Sequence, residues 1–379
     1  MLRIPKPYRS PVLALGMALA LVVGASIIPW SREQPRAATD VQISIEQFGR
    51  YIDEWSEPEG FFDSDNFISN ETSYLHVTDD LRTRVRPGGV YFGVGPDQNF
   101  SYIAHTRPAL AIITDIRRQN MLQHLLFKVL FQKASNRAEY FALLFSREMP
   151  IVTPGGGLPV LVEAVRQSPS NEAIFRDNLA AVKNVLLQNY KLQLTPDDLD
   201  KIELVYQTFW KEGLDLRFSS LGRNNGLRYP TLGQMILETD LSGNYQSYLA
   251  SEDLFQWVKK FEAENRLVPI VGDFAGSHAL RSVAGFLGGN GLLVTAFYTS
   301  NVEFYLFGTG TWTRYAANVH AFPLSDDAVF IRSYFPTYGR MHPLNVPGHR
   351  STSLVLPIGR FLEEYGARAL RSYWDVVKP

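Results

Sequence analysis

The stretch Gly88 to Asn120, GGVYFGVGPDQNFSYIAHTRPALAIITDIRRQN, constrains the fold more than any other part of the chain. Val90, Tyr91 and Phe92 form a short apolar run that stops at Gly93-Val94-Gly95-Pro96. Glycines at such a stop let the chain turn sharply and let a ligand approach the backbone closely. Asp97-Gln98-Asn99 follows and supplies a natural helix N-cap. A short segment through Tyr102, Ile103 and Ala104 leads to a second apolar run, Leu110 to Ile113, which ends at Thr114-Asp115. The expected order is strand, glycine turn, helix, second strand.

Spacing adds a functional expectation. Asp115 lies 20 residues beyond Gly95. In nucleotide-binding α/β units the first strand ends in a glycine turn, and an acid about 20 residues on accepts hydrogen bonds from ribose hydroxyls. The turn and the following helix N-terminus face the rest of the nucleotide. The third glycine of G-x-G-x-x-G is missing, because Pro96-Asp97-Gln98-Asn99 follows Gly95.

A second unit comes late in the chain. Leu267 to Val271 reads as a strand ending in Gly272-Asp273, and a helix runs through Leu280, Val283, Ala284 and Leu287 from Ser277. Gly288-Gly289-Asn290-Gly291 closes it, and Leu292 to Tyr298 is a buried-type strand ending in Thr299-Ser300-Asn301. Later strands are expected over 328–334 and 353–357, and an amphipathic helix over 357–372. Between the two units, about 135–250 reads as a largely helical insertion, with helices over 158–190 and 196–212. Earlier, residues 44–56 place Ile45, Phe48, Tyr51, Ile52 and Trp55 on one helical face. Phe61 to Leu81 is rich in turn formers and aromatics, and is expected to lead into the domain and cover the edge of a pocket.

The N-terminus has its own character. Arg3, Lys6 and Arg9 precede Pro11 to Ile28, 18 residues without a charge. A basic flank and an apolar run indicate membrane targeting, as an uncleaved anchor or as a cleaved signal. Either way residues 1–9 are expected in the cytoplasm and the globular part on the other side of the membrane. Residues 1–30 are then the targeting segment, 31–43 a linker, and 44–379 the α/β domain.

Composition excludes some chemistry. The chain has 379 residues, a formal net charge of −1 and no cysteine. Thiolate nucleophiles, thiolate metal sites and disulfides are therefore absent, and no basic footprint points to nucleic acid. His105, His124 and His278 have no ligand spacing, and no metal is expected. There is neither a G-x-S-x-G elbow nor a G-x-x-x-x-G-K-[ST] loop. Asn70-Glu71-Thr72 and Asn99-Phe100-Ser101 fit the glycosylation pattern.

The strings GVGPD with Asp115, and Val271-Gly272-Asp273 after a strand, resemble S-adenosylmethionine-dependent methyltransferases. The same long strings also look like an uncharacterised bacterial family. The methyltransferase resemblance implies a Rossmann-like sheet and a nucleoside-type cofactor, S-adenosylmethionine. Gly93, Gly95, Asp97, Asn99, Asp115 and Asp273 would then lie on the cofactor side. Arg118 would face the substrate, and Asn301 and Glu303 would carry the catalytic roles. Each residue also has a structural reading. Asp97 and Asp273 can cap helices, Asn99 can staple the turn, Asp115 can pair with Arg117 or Arg118, and the two arginines can be a solvated pair. The alternative functions are a non-catalytic, membrane-anchored binding or scaffold protein on the same fold and, third, a nicotinamide-dependent oxidoreductase.

Overall fold

Val90–Val94, Leu110–Asp115 and Leu267–Val271 are buried at every position. Strands without apolar–polar alternation belong in a parallel sheet covered on both faces. The computed structural model, which describes residues 41–152, 155–220, 229–336 and 340–379, shows that arrangement. These three strands are β1, β2 and β3; Val294–Ser300, Leu324–Tyr334 and Thr352–Pro357 are β4, β5 and β6. They form one six-stranded sheet in the order β3-β2-β1-β4-β5-β6. Every pairing is parallel except β5 with β6.

The order has a consequence for ligands. The chain moves outward from β1 to β3 and then returns to place β4 on the other side of β1. Connections therefore leave β1 and β4 in opposite directions. A crevice opens at the carboxyl ends of such neighbours, and ligands of open α/β sheets bind there.

Helices cover the sheet. Ile45–Trp55 starts at a capping box between Ser44 and Gln47 and packs its Phe48, Ile52 and Trp55 face against β3. Gln98–Thr106 and Arg118–Lys133 follow β1 and β2, and Ala279–Gly289 follows β3. The stretch between β2 and β3 holds Arg137–Leu144, Leu158–Gln167, Glu172–Asn184, Pro196–Glu212 and Leu232–Ile236 among its helices. The single helix expected over 158–190 is broken. Pro169 cannot continue a helix, and Asn171 caps a new one by accepting the Ala173 amide at 2.8 Å. The helix expected over 357–372 ends at Gly366, and Tyr373–Val377 restarts behind Ser372. The expected membrane-targeting segment lies outside the described residues. Among the described residues no helix is long and apolar enough to cross a membrane.

Candidate functional site

A cavity of about 780 Å³ lies at the carboxyl edge of the sheet. Val94, Gly95 and Pro96 line it from the end of β1, Asp115 from β2, Gly272 and Asp273 from β3, Ser300 and Asn301 from β4, and Phe335 from β5. Its aromatic walls include Phe62, Phe274, Tyr298 and Tyr305. Size, apolar walls and a few placed polar groups are the attributes of a small-molecule site.

The outer wall is the segment 57–72, which crosses the strand ends in sequence. The Glu57 carboxylate accepts the Asp273 amide at 2.6 Å and those of His278 and Ala279 at 3.3 Å each, beyond β3. The Gly60 amide donates to Ile116 O at 2.8 Å, beyond β2. The Arg117 guanidinium donates to Ser64 O at 2.9 Å and Asp65 O at 2.6 Å. Glu71 then reaches the ends of β4 and β5. Its carboxylate accepts the Tyr298 hydroxyl at 2.9 Å, the Gln98 amide at 3.0 Å, and the hydroxyls of Ser300 and Ser333. Glu71 is 2% exposed. Burial pushes its carboxyl above the usual range, and the four donors act against that shift. Ser300 holds φ at 52°, in the left-handed region that a non-glycine residue enters at a cost of about 1–3 kcal/mol.

The residues expected on the cofactor side separate into three groups. Gly95, Asp115 and Asp273 line the cavity. Gly95 sits at φ 80°, where glycine is unstrained. Asp115 is held by Arg117, whose guanidinium donates to both carboxylate oxygens at 2.9 and 2.7 Å and whose amide donates at 3.0 Å. Those three bonds leave one acceptor site on the carboxylate. Asp273 accepts the Ala275 amide at 2.9 Å and does not cap the helix; Glu57 takes that role.

Gly93 and Asn99 serve the turn instead. The Asn99 amide donates to Val94 O at 2.9 Å, Gly95 O at 3.3 Å and Pro96 O at 2.7 Å, and its carbonyl accepts the Tyr91 hydroxyl at 2.8 Å. Both amide hydrogens are used within the turn, and full burial closes Asn99 to a ligand and to glycosylation. A Cβ on Gly93 would meet the Asn99 carbonyl oxygen and the Tyr91 ring, which is why glycine stands there.

Asp97 turns away from the large cavity. It holds the N-cap position without a side-chain capping bond and accepts the Tyr248 hydroxyl at 3.4 Å, beside a separate small cavity. Burial pushes its carboxyl up to about 6. Native Asp97 therefore holds its proton more tightly than the unfolded chain does. That stabilisation is present below about pH 4 and is lost as pH rises through about 6. Asp97→Asn is expected to remove this slope and to stabilise the fold at pH 7 by on the order of 2 kcal/mol. Melting curves of both proteins from pH 4 to 8 check it; parallel curves would remove Asp97 from the account.

The expected substrate and catalytic residues are rearranged as well. Arg118 does not line the cavity. Its guanidinium is paired with Asp198, at 2.9 Å for one of the two contacts, on helix Pro196–Glu212. Arg117, its neighbour, lines the cavity instead. Asn301 lines the cavity as expected. Glu303 does not: it is fully buried and accepts two bonds from Arg332, at 2.6 and 2.8 Å. Both its oxygens are held, so the general-base role is withdrawn. His278 Nε2 donates to Glu54 O at 2.8 Å, outside the cavity lining.

Among the cavity residues that the sequence did not mark are Glu71, His349 and Arg350; the last two are adjacent. These two precede β6, and no strand–turn–helix motif marks them. His349 Nδ1 is 3.1 Å from Thr72 O. A carbonyl only accepts, so Nδ1 carries a proton and donates it to this bond. The His76 ring packs edge-on against it at 4.3 Å. Among the described residues no group of three ligating side chains is placed to hold a metal ion.

No curated protein matches the chain. Residues 66–150 and 161–353 match the family model described as Domain of unknown function (DUF7790); the chain belongs to this family. The matched residues span the cavity from Asn66 to Arg350.

Proposed function

We propose that this DUF7790 protein binds a nucleoside-type small molecule, S-adenosylmethionine foremost, and is a methyltransferase-like protein. One observation carries the reading. Asp115 and Asp273 stand at the ends of adjacent parallel strands and line one cavity with the Gly95 turn. An acid ending the second strand is placed for a ribose hydroxyl, and the acid after the third strand for the amino edge of a base. Asp115 meets the ribose through its remaining acceptor site. Gly95 and Pro96 let the ligand lie against the backbone.

The resemblance to the Rossmann-like methyltransferases belongs to this proposal. So does a tether at residues 11–28 that places the domain on the non-cytoplasmic side of a membrane. A non-catalytic binding protein on the same fold is the second reading. It is favoured by the locking of Glu303 against Arg332, which takes the expected base out of the site.

The test is a thermal-shift screen of the full chain in mild detergent against S-adenosylmethionine, S-adenosylhomocysteine, NAD, NADP and ATP. Ligand at 100 times its Kd stabilises the native state by about 2.7 kcal/mol. A shift with the two S-adenosyl compounds alone is expected. A shift with NAD or NADP alone would replace this reading by the oxidoreductase one.

A further inference from the structure

The cavity is longer than its nucleoside end requires. Asp273 stands at β3 and Asp115 at β2, whereas Arg350 lies two residues before the start of β6. β2 and β6 are four inter-strand steps apart in the sheet. At about 4.8 Å per step the two ends are separated by roughly 19 Å. The β4–β6 half is walled by Tyr305 and Phe335 and floored by Ser300 and Asn301.

Charge differs between the two halves. Arg117, the cation of the nucleoside half, is neutralised by Asp115 at 2.7 Å. Arg350 is exposed in the other half, and among the described residues no carboxylate pairs with it. Its backbone is fixed, since its amide donates to Thr72 Oγ1 at 3.1 Å. His349 stands beside it, its Nδ1 held by Thr72 O. A guanidinium with no carboxylate partner among the described residues, at the wall of an aromatic-lined cavity, has the fork geometry that grips a carboxylate or phosphate.

We infer that the β4–β6 half of the cavity is a second binding site, for a small aromatic molecule bearing an anionic group, with Arg350 as its anchor. This deepens the nucleoside reading, since the second molecule is the substrate that a bound methyl donor would face. It rests on that reading for its role, though not for its binding chemistry.

The test is calorimetry of the full chain with benzoate, phenyl phosphate and neutral benzamide, each with and without S-adenosylhomocysteine. At least one of the two anions is expected to bind ten times or more tighter than benzamide, and the tighter one identifies the anionic group. Arg350→Ala is expected to abolish the preference, and Arg350→Lys to restore only part of it, because lysine lacks the fork. Equal binding of all three probes, or a preference that survives in Arg350→Ala, overturns the inference. S-adenosylhomocysteine binding is read separately in the same titrations. Its absence beside an Arg350-dependent anion preference would sink the nucleoside reading and leave the anion site standing.

Discussion

Truncating Glu71 to alanine is expected to lower stability by about 3–5 kcal/mol and the melting temperature by roughly 5 °C. The carboxylate is the common acceptor for Gln98, Tyr298, Ser300 and Ser333. These donors come from the helix after β1, from β4 and its end, and from β5. Alanine leaves several of them buried without an acceptor, and each buried unsatisfied group costs about 1–3 kcal/mol. Relief of the carboxyl's own desolvation offsets part of that sum. Glu71→Gln keeps the shape and one acceptor oxygen, so it is expected to lose less. The left-handed Ser300 backbone is held partly by its bond to Glu71, so Glu71→Ala should also weaken ligand binding at the β4 end. Thermal melts with calorimetric titration separate the two effects. A melting temperature within about 1 °C of the parent would show that Glu71 does not organise this edge.

The second large effect lies beneath the cavity. Arg332→Met is expected to destabilise the fold by about 3–5 kcal/mol, because it leaves Glu303 buried and uncompensated. Arg332 is 1% exposed and Glu303 fully buried, and the guanidinium also lies 3.9 Å from the Phe330 ring centroid. Replacing both partners removes both charges. The double variant Arg332→Met with Glu303→Leu is therefore expected to recover most of the loss. Denaturant melts of the two singles and the double measure the coupling. If Glu303 were a free base facing ligand, Arg332→Met would leave stability near the parent's.

What the sequence made legible follows from locality. β1, the glycine turn, helix Gln98–Thr106 and β2 are read from one stretch because apolar runs and punctuation are local signals. The helix over 196–212 is equally local, since Thr195 caps it and Pro196 stands at its first position. Asp115 and Asp273 could be marked as candidates because each ends or follows a strand that the sequence shows, and both line the cavity. Glu71 left no such mark. It sits in irregular chain, and its partners lie 27 to 262 residues away. Arg117 and Arg118 are adjacent and chemically identical, so only the fold decides that one meets Asp115 and the other Asp198. Glu303 carried the signal of an acid after a strand. Its partner on β5 is 29 residues away, and one turn of helix turns it into the core. Asn99 was legible as a turn residue, and the structure uses it as one.

The central claim is that the cavity at the β1–β3 ends receives an S-adenosyl nucleoside. Calorimetric titration of the full chain with S-adenosylhomocysteine, beside Asp273→Ala, tests it most directly. Asp273 is the better probe of the two acids, because removing Asp115 would strand the buried Arg117 guanidinium. Saturable one-to-one binding to the parent is expected. Asp273→Ala should bind about tenfold to a hundredfold weaker, the worth of one charge-assisted hydrogen bond, with an unliganded melting temperature within about 2 °C of the parent's. No heat of binding with the parent protein, at concentrations where it is folded, would contradict the claim.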